Sequence, residues 1–451
     1  MSLHYDVKVS DEELKSRASA ECVVRRESKG CLVYNRKGNC YIPFDDLGLE
    51  IFLTCNSCSP DRPVDFESIY EKRFRTVDKS AFWQFIYLCK SVGLMNEDGH
   101  FNGYILDNKI IKDVKHFCAP SSVTLQLTRY CNFRCPHCWA SAGRPRENEL
   151  TDIELKNLFT QMSDMGVFIL DIGSGGEAMG RDDFLDILKM AKDTYGFTVN
   201  VHTNACNVTK FSAAKMANYV DSFIVYIDAG TQKVYDSVHG CDQFRKAFRC
   251  IDNLFNECKR SKIYFHASIT KDNFGDIPNI IKKTEDNNAD GLIFDVALPV
   301  GRALQNLDKI LSRDDVLGCI KSINDSIENH KKLKITLTPT VPSPRRNRSF
   351  EGFGCDCANQ SCYITSEGLV YPADILSVYS GFKYYGNLRT KSLFDIWNGD
   401  LQEWRSSISA DLECKRCPHY AYCRGGCRAR TYVLTGDQRK KDPYCFLNTK
   451  K

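Results

Sequence analysis

Three cysteines lie close together at Cys131, Cys135 and Cys138, directly after an apolar stretch at residues 123–127 that is typical of a β-strand. The spacing C-x3-C-x2-C supplies three thiolates where a cubane iron–sulfur cluster has four irons. One iron then lacks a protein ligand and can bind another molecule. Zinc is disfavoured, because it normally takes a fourth ligand at a second short spacing and His137 is wedged between two of the cysteines. Buried cysteines without a metal would not account for the spacing.

This run resembles the signature of the radical S-adenosylmethionine (SAM) enzymes. The resemblance implies that the open iron chelates the amino and carboxylate groups of SAM. It also implies that an electron from the cluster cleaves SAM to a 5′-deoxyadenosyl radical, which abstracts hydrogen from a substrate. A reductant such as flavodoxin or ferredoxin is the partner that this chemistry requires.

Length and composition set outer limits on the function. The 451 residues are enough for about two or three domains, and 43% hydrophobic with 26% charged residues is typical of a globular protein. The net charge of +4 is the balance of 61 basic and 57 acidic side chains, which argues against nucleic acid as a partner. No apolar stretch is long enough to cross a bilayer, so no membrane partner is expected. The first residues lack the features of a signal peptide, and a cytoplasmic location is therefore expected.

The chain contains 23 cysteines. In a reducing cytoplasm, clustered cysteines are metal ligands more often than disulfides. Three lie between residues 131 and 138 and eight between 355 and 445, which predicts metal sites in both regions. The other twelve are scattered, and most are expected to be ordinary buried side chains. They are Cys22, Cys31, Cys40, Cys55, Cys58, Cys89, Cys118, Cys206, Cys241, Cys250, Cys258 and Cys319.

Residues 1–115 are predicted to form a small separate domain. The patterns predict strands at 23–26, 31–34 and 40–44, a turn at 35–39, helices at 47–55, 66–73 and 79–92, and a wing-like turn at 96–100. This order resembles the winged-helix-like domain that recognises precursor peptides in many enzymes that modify ribosomally made peptides. A DNA-binding winged helix has a similar order, but the charge balance argues against it.

Residues 116–335 are predicted to form an α/β domain with a parallel sheet, because strands and amphipathic helices alternate. The patterns predict strands at 123–127, 168–172, 198–202, 222–228, 262–269 and 291–298, with helices such as 151–165 and 182–195 between them. Six units are too few for a closed eight-stranded barrel. They fit the partial (β/α)6 barrel of the radical SAM family, whose site would lie at the carboxyl ends of the strands.

Several segments after these strands resemble the SAM contacts of that family. Gly175, Gly176 and Glu177 resemble its Gly-Gly-Glu motif, which meets the SAM amino group, although Ala178 stands where the family usually has proline. Thr203 and Asn204 match a polar pair near the ribose and methionine of SAM. Tyr226 replaces a serine that is common in relatives. Ser268 or His266 is a further candidate for a polar contact with SAM, although a core or surface role is as plausible for each.

The region from 336 to 451 is predicted to be a linker followed by a cysteine-rich domain. The basic, proline-broken segment at 341–348 is expected to be a loop or linker. Further on, five cysteines match the spacing of the SPASM extension, which carries auxiliary [4Fe-4S] clusters. The resemblance implies that four of them hold one cluster and that Cys427 reaches a second one. The four are Cys414, Cys417, Cys423 and Cys445.

The upstream part of this region departs from the SPASM pattern. Ala373 stands where the family has a cysteine four residues after a glycine, whereas Cys355, Cys357 and Cys362 crowd into a short segment before it. One of these extra thiols supplies the missing ligand, or else the second auxiliary cluster keeps an open iron that a substrate thiolate could reach. The sequence leaves both alternatives open. Three [4Fe-4S] clusters are implied in total, one for SAM and two auxiliary.

The whole pattern resembles the radical SAM/SPASM maturases of ribosomally made peptides, of the sactipeptide and ranthipeptide type. It implies an enzyme that binds the leader of a precursor peptide and forms an intramolecular cysteine thioether. The leader is expected to add a strand to the hairpin at residues 31–44. Carbon–carbon crosslinking and the formylglycine chemistry of sulfatase maturases are the alternative enzymatic functions. A DNA-binding iron–sulfur regulator is the non-enzymatic alternative, and it would leave Gly175–Glu177 without a purpose.

Overall fold

The computed structural model describes residues 10–112, 114, 116–338, 355–406 and 411–445. The predicted linker at 341–348 lies outside these residues. No helix within the described ranges is both long and apolar enough to span a bilayer.

The amino-terminal part is a four-stranded sheet covered by helices. Strand β3 pairs with β2, β2 with β1, and β1 with β4; the first two pairs are antiparallel and the last is parallel. The three predicted strands and three predicted helices are present, while α1 and β4 were not predicted. The strands are β1 (Cys22–Arg26), β2 (Cys31–Asn35), β3 (Cys40–Phe44) and β4 (Gly103–Ile105), and the helices are α1 (Asp11–Ser19), α2 (Asp46–Asn56), α3 (Phe66–Ile69) and α4 (Lys79–Ser91).

The central part contains all six of the predicted strands, β5–β10, and a seventh, β11. The strands are β5 (Ser122–Leu125), β6 (Ile169–Ile172), β7 (Thr198–Thr203), β8 (Ser222–Tyr226), β9 (Lys262–Ile269), β10 (Gly291–Val296) and β11 (Ile335–Leu337). The helices are α5 (Asp152–Met165), α6 (Phe184–Lys189), α7 (Lys210–Met216), α8 (Gln232–His239), α9 (Phe244–Glu257), α10 (Ile277–Asp286) and α11 (Arg313–Asn329). All seven strands are parallel and neighbour one another in chain order.

The carboxy-terminal part continues the same sheet. Strand β12 lies parallel to β5, and β13 and β14 follow it in antiparallel pairs, so that β5–β14 form one ten-stranded sheet with β11 and β14 at its edges. The strands are β12 (Ser361–Ile364), β13 (Leu369–Tyr371) and β14 (Gly386–Asn387), and the helices are α12 (Leu393–Asp395), α13 (Gln402–Ser406), α14 (Leu412–Lys415), α15 (Tyr420–Cys423) and α16 (Arg428–Thr435).

Several short turns of other helix types complete the described chain. The π-helical turns are Tyr70–Phe74, Met190–Thr194 and Ile396–Asp400, and the 3-10 turns are Ala178–Gly180, Phe274–Asp276, Gly301–Gln305, Leu307–Lys309 and Asp374–Val378. The first two π-turns extend α3 and α6, so the predicted helices at 66–73 and 182–195 each consist of an α-helix and a π-turn.

The two inner strands of the amino-terminal sheet, β1 and β2, are buried on both faces. Side chains such as Val24 and Val33 face the helices of the same part, whereas Val23, Leu32 and Tyr34 pack against the barrel. The ring of Tyr34 stacks on Phe168 with centroids 4.9 Å apart. This alternation follows from the two-residue period of a strand, which sends successive side chains to opposite faces.

Arg25 lies fully buried in the contact between the amino-terminal sheet and the barrel. Its Nη1 atom donates hydrogen bonds to the carbonyls of Pro120 and Gly166, both at 2.8 Å, and its Nε atom donates to Glu27 at 2.7 Å. The guanidinium also stands 5.0 Å from the ring centre of Phe168. A buried charge with these partners fixes the orientation of the sheet on the barrel.

Arg25→Ala is expected to lower the free energy of unfolding by about 3 kcal/mol, because it leaves one carboxylate oxygen of Glu27 and two carbonyls without their donor. Urea unfolding followed by circular dichroism measures the change. Arg26→Ala is the matched control, since the Arg26 side chain is exposed and its loss should change the stability by no more than about 0.5 kcal/mol. Equal midpoints for the two variants would show that the buried guanidinium does not hold the sheet in place.

Candidate functional site

The three cysteines of the C-x3-C-x2-C run lie on a loop that follows β5. The Cys131 amide donates to the carbonyl of Gly143 at 3.0 Å, and the Cys138 amide donates to the carbonyl of Cys135 at 3.1 Å. Burial raises the pKa of the Cys131 thiol to about 12. A free thiol at this site therefore stays protonated, and a metal that binds there must displace the proton.

Arg302 holds this loop from the other side of the barrel, and the sequence analysis did not identify it. Its Nη1 atom donates to the carbonyl of Cys135 at 2.9 Å and its backbone amide donates to the carbonyl of Cys138 at 3.0 Å. Gly301 before it has a φ of +59°, and a Cβ there would stand 1.9 Å from the carbonyl oxygen of Trp139. The Gly301-Arg302 pair, after the end of β10, was the available sequence signal.

Glu177 lies after β6 and meets the two residues that were predicted with it. Thr203 donates to its carboxylate at 3.0 and 3.1 Å, and the Asn204 amide donates to it at 2.9 Å. Burial raises the pKa of Glu177 to about 7, although these hydrogen bonds oppose the shift. A cation placed against this carboxyl group would favour its charged form. The arrangement therefore suits an ammonium ligand such as the SAM amino group.

The two glycines before Glu177 have close neighbours, and one of them also has a positive φ. Gly175 has a φ of +96°, and a Cβ there would lie 2.5 Å from the Nε2 atom of Gln126. A Cβ on Gly176 would lie 2.0 Å from the carbonyl oxygen of Thr128. The backbone contact leaves no room for a Cβ at Gly176, and the positive φ of Gly175 would strain any other residue, so glycine is favoured at both positions.

The remaining predicted contacts lie deeper in the barrel. Ser268 lines the cavity, and its amide donates to Asp228 at 2.7 Å. His266 is 6% exposed and its ring centre stands 4.4 Å from that of Tyr226. The hydroxyl of Tyr226 lies 3.1 Å from Nδ1 of His202. These side chains form a polar wall below the cysteine loop.

One cavity of about 690 Å³ connects these groups. Among the described residues that line it there is no lysine or arginine, whereas six carry carboxyl groups: Asp171, Glu177, Asp228, Asp295, Asp356 and Asp374. Burial raises the pKa of Asp171 to about 6. An acidic cavity with low-dielectric walls attracts cations. It therefore suits SAM, which carries a sulfonium and an ammonium group.

A second group of thiols lines the same cavity. The thiols of Cys355, Cys357 and Cys427 lie close enough to shift the pKa of one another, and all three line the cavity together with Ala373. Cys427 precedes α16, and its amide donates to Asp442 at 2.8 Å. The third thiol therefore reaches the upstream pair from the far end of the cysteine-rich region.

Cys362 is placed apart from this group. It lies in β12 opposite Val123, is 2% exposed and belongs to the hydrophobic core. The next residue, Tyr363, points to the other face of the strand, where its hydroxyl donates to the carbonyl of Ser174 at 3.2 Å. Because strand side chains alternate, Cys362 faces the core and Tyr363 faces the barrel interior.

The four remaining cysteines of the carboxy-terminal region line a small pocket of their own. Cys423 lines this pocket and also the large cavity, so the two sites are neighbours. Burial raises the pKa of Cys414 to about 11. The four are Cys414, Cys417, Cys423 and Cys445.

These groups fit clusters better than single ions. Within the part of the chain that the structure describes, no three histidine, cysteine or acidic side chains are spaced to hold one metal ion. A cubane is held differently, because each thiolate binds its own iron. The three cysteine groups are therefore consistent with iron–sulfur clusters.

Two family models match the chain. Residues 125–284 match the Radical SAM superfamily, and residues 355–418 match SPASM, an iron-sulfur cluster-binding domain. The chain thus carries a radical SAM domain followed by a SPASM domain. Cys423, Cys427 and Cys445 lie beyond the matched residues.

Curated relatives and a solved structure extend this likeness. An AdoMet-dependent heme synthase of Nitratidesulfovibrio vulgaris is 27% identical over 346 residues, which cover 72% of this chain and 91% of the relative. A PqqA peptide cyclase of Bradyrhizobium diazoefficiens is 26% identical over 348 residues, which cover 74% and 87%. The crystal structure of Streptococcus suis SuiB bound to precursor peptide SuiA has a TM-score of 0.69 at 18% identity and covers 95% of this chain and 99% of that chain. This last likeness shows the fold.

Proposed function

We propose that this chain, in which a radical SAM domain precedes a SPASM domain, forms a thioether between a cysteine and a backbone carbon of a ribosomally made precursor peptide. The observation that carries the proposal is the shared cavity. Cys131, Cys135 and Cys138 line it together with Cys355, Cys357 and Cys427. A substrate in this cavity would reach both sites at once.

The residues of the first site would hold one [4Fe-4S] cluster and SAM. Cys131, Cys135 and Cys138 would bind three irons, and Glu177 would accept hydrogen bonds from the SAM ammonium group. When bound, this pair supplies the 5′-deoxyadenosyl radical that removes a hydrogen atom from the peptide. Thr203 and Asn204 orient the Glu177 carboxylate, and Ser268 lines the wall beside them.

The second site favours thioether formation over a carbon–carbon crosslink. Three thiols lie together there, Ala373 lines the same cavity, and Cys362 belongs to the hydrophobic core instead. An auxiliary cluster on three thiolates would offer its remaining iron to the sulfur of a substrate cysteine. A carbon–carbon crosslink would not need such a position. The four cysteines of the separate pocket would hold the other auxiliary cluster.

A peptide substrate is favoured over a tetrapyrrole by the amino-terminal part of the chain. The matches to the heme synthase and to the PqqA peptide cyclase cover 72% and 74% of the chain and do not distinguish the two substrates, whereas the likeness to the SuiB structure covers 95% and therefore includes most of the first 115 residues. SuiB is described with a bound precursor peptide. The same comparison argues against a sulfatase maturase, which needs no leader-binding module. We place the reaction in the cytoplasm, where a one-electron donor such as flavodoxin or ferredoxin is available.

Strand β3 is the part of the recognition sheet that could receive a leader peptide. Among the described strands it pairs with β2 alone, and Pro43 is a residue that sheets tolerate at their edges. Phe85 of α4 packs on Phe44 of β3 with ring centres 4.8 Å apart, so α4 lies beside this edge. Leu88 lies on the same side of α4 as Phe85 and is 41% exposed. An added strand would therefore have an apolar helix face beside it.

The activity itself is tested with the short peptide encoded beside the gene. The anaerobically reconstituted enzyme with SAM and dithionite is expected to yield 5′-deoxyadenosine and a peptide lighter by one pair of hydrogens. Alkylation of free thiols then distinguishes the two possible products, because a thioether consumes the cysteine thiol whereas a carbon–carbon crosslink leaves it free. A peptide of unchanged mass after turnover of SAM would contradict the proposal.

Leu88→Asp is expected to weaken leader binding at least tenfold, because an apolar contact of about 1.5–3 kcal/mol is lost. Fluorescence anisotropy with the labelled leader of that peptide measures the affinity. Tyr87→Asp is the matched control, since Tyr87 is 75% exposed and lies two positions from Phe85, on the opposite side of the helix. If both variants bind as the unaltered enzyme does, the leader docks elsewhere.

A further inference from the structure

His239 touches one of the cysteines that would bind the SAM-site cluster. It is the last residue of α8, is 2% exposed, and its Nδ1 atom lies 3.3 Å from the sulfur of Cys135. Its other nitrogen, Nε2, lies 3.4 Å from the carbonyl of Ile227 and 3.6 Å from the carboxylate of Asp228. The ring therefore spans from the end of β8 to the cysteine loop.

The surroundings hold the His239 ring in this orientation. The ring of Tyr235, one turn earlier on α8, stands 4.2 Å from it. Asp228 is itself fixed, because it accepts the amide of Ser268 at 2.7 Å. A side chain that is packed and anchored in this way keeps its hydrogen-bond geometry when its partner changes charge.

The donor and the acceptor of the hydrogen bond between His239 and Cys135 are defined once Cys135 binds iron. A coordinating sulfur is a thiolate, which accepts hydrogen bonds and has no proton to donate, so the bond forms when Nδ1 carries a proton and runs from Nδ1–H to sulfur. Reduction adds one electron, and the negative charge on the cluster sulfurs grows. A donor at Cys135 then stabilises the reduced state more than the oxidised state. The outcome is a higher reduction potential.

We propose that His239 is a positioning residue that donates a hydrogen bond from Nδ1 to the sulfur of Cys135 and makes the SAM-site cluster easier to reduce. The proposal rests on the proposed function, because it requires a cluster at Cys131, Cys135 and Cys138. The step it affects is uptake of one electron by the oxidised cluster from an external one-electron donor. In this role His239 acts through Cys135 and takes no part in hydrogen abstraction.

A pair of amide variants tests the donor directly. In His239→Asn the amide nitrogen takes the place of Nδ1, and in His239→Gln it takes the place of Nε2. Both variants remain polar and can bond to a neighbour, so both should fold. His239→Gln is expected to lower the equilibrium constant for reduction about tenfold, which is 59 mV for a one-electron couple. His239→Asn is expected to restore most of this loss.

The reduction potential of the cluster is measured by titration with titanium(III) citrate. Electron paramagnetic resonance monitors the titration through the signal that changes when SAM is added. His116→Gln is the control, because His116 is 7% exposed and its Nε2 atom bonds to Asn398 rather than to a cysteine. Equal potentials in His239→Gln and the unaltered enzyme would overturn the proposal, as would a loss in both His239 variants. An unaltered enzyme without a SAM-sensitive cluster would instead refute the proposed function itself.

Discussion

Replacing Cys131, Cys135 and Cys138 together by alanine is expected to abolish reductive cleavage of SAM. The three thiols are the protein ligands available to the first cluster, and without it no electron reaches the SAM sulfonium. The iron content of the anaerobically reconstituted protein should fall from about twelve to about eight per chain, since two four-iron sites remain. Iron analysis and chromatography of 5′-deoxyadenosine after addition of dithionite measure both effects.

The matched control replaces three cysteines that lie in neither cluster region. Cys40, Cys58 and Cys250 are suitable, because none of them is fully buried and none lines the large cavity. This control should keep its iron and its SAM cleavage. Formation of 5′-deoxyadenosine by the first triple variant would show that SAM is bound elsewhere.

The sequence predicts the strands of the barrel well because of their burial. Strands in a parallel sheet are covered on both faces and therefore read as continuous apolar runs, as residues 222–226 do. Strand β11 was not predicted, because its three residues are too few to show a pattern. Arg25 escapes prediction for another reason: arginine is normally exposed, and only the packing of two parts of the chain shows that it is buried.

The cysteine spacing predicts groups of ligands, while contacts between distant segments depend on the fold. Cys131 and Cys138 belong to the same short run of the chain, so their proximity follows from the sequence alone. Arg302 and His239 approach the same loop from the ends of β10 and α8, and no local pattern connects them with it. The separation of Cys362 from Cys355 and Cys357 also depends on the fold, because Cys362 lies in β12 and belongs to the core, whereas the other two precede that strand and line the cavity.

Cys355→Ala, Cys357→Ala and Cys427→Ala are each expected to lose the upstream auxiliary cluster, about four irons per chain. Cys362→Ala is expected to retain all of the iron and to lower stability by only about 1 kcal/mol, because it removes a small side chain from the core. Iron analysis with Mössbauer spectroscopy compares the four variants. A loss of iron in Cys362→Ala, with full iron in Cys355→Ala, would reverse this assignment.

Ala373→Cys then tests whether the upstream cluster has an iron without a protein thiolate. The new side chain would line the same cavity as Cys355, Cys357 and Cys427, and a thiolate that reached the open iron would close the coordination of the cluster. The variant is expected to keep its iron and its cleavage of SAM but to lose the thioether product. Ala373→Ser is the control, because a hydroxyl of similar size is a poor ligand for iron in place of a thiolate. Unchanged thioether yield in Ala373→Cys would show that the substrate sulfur does not need this iron.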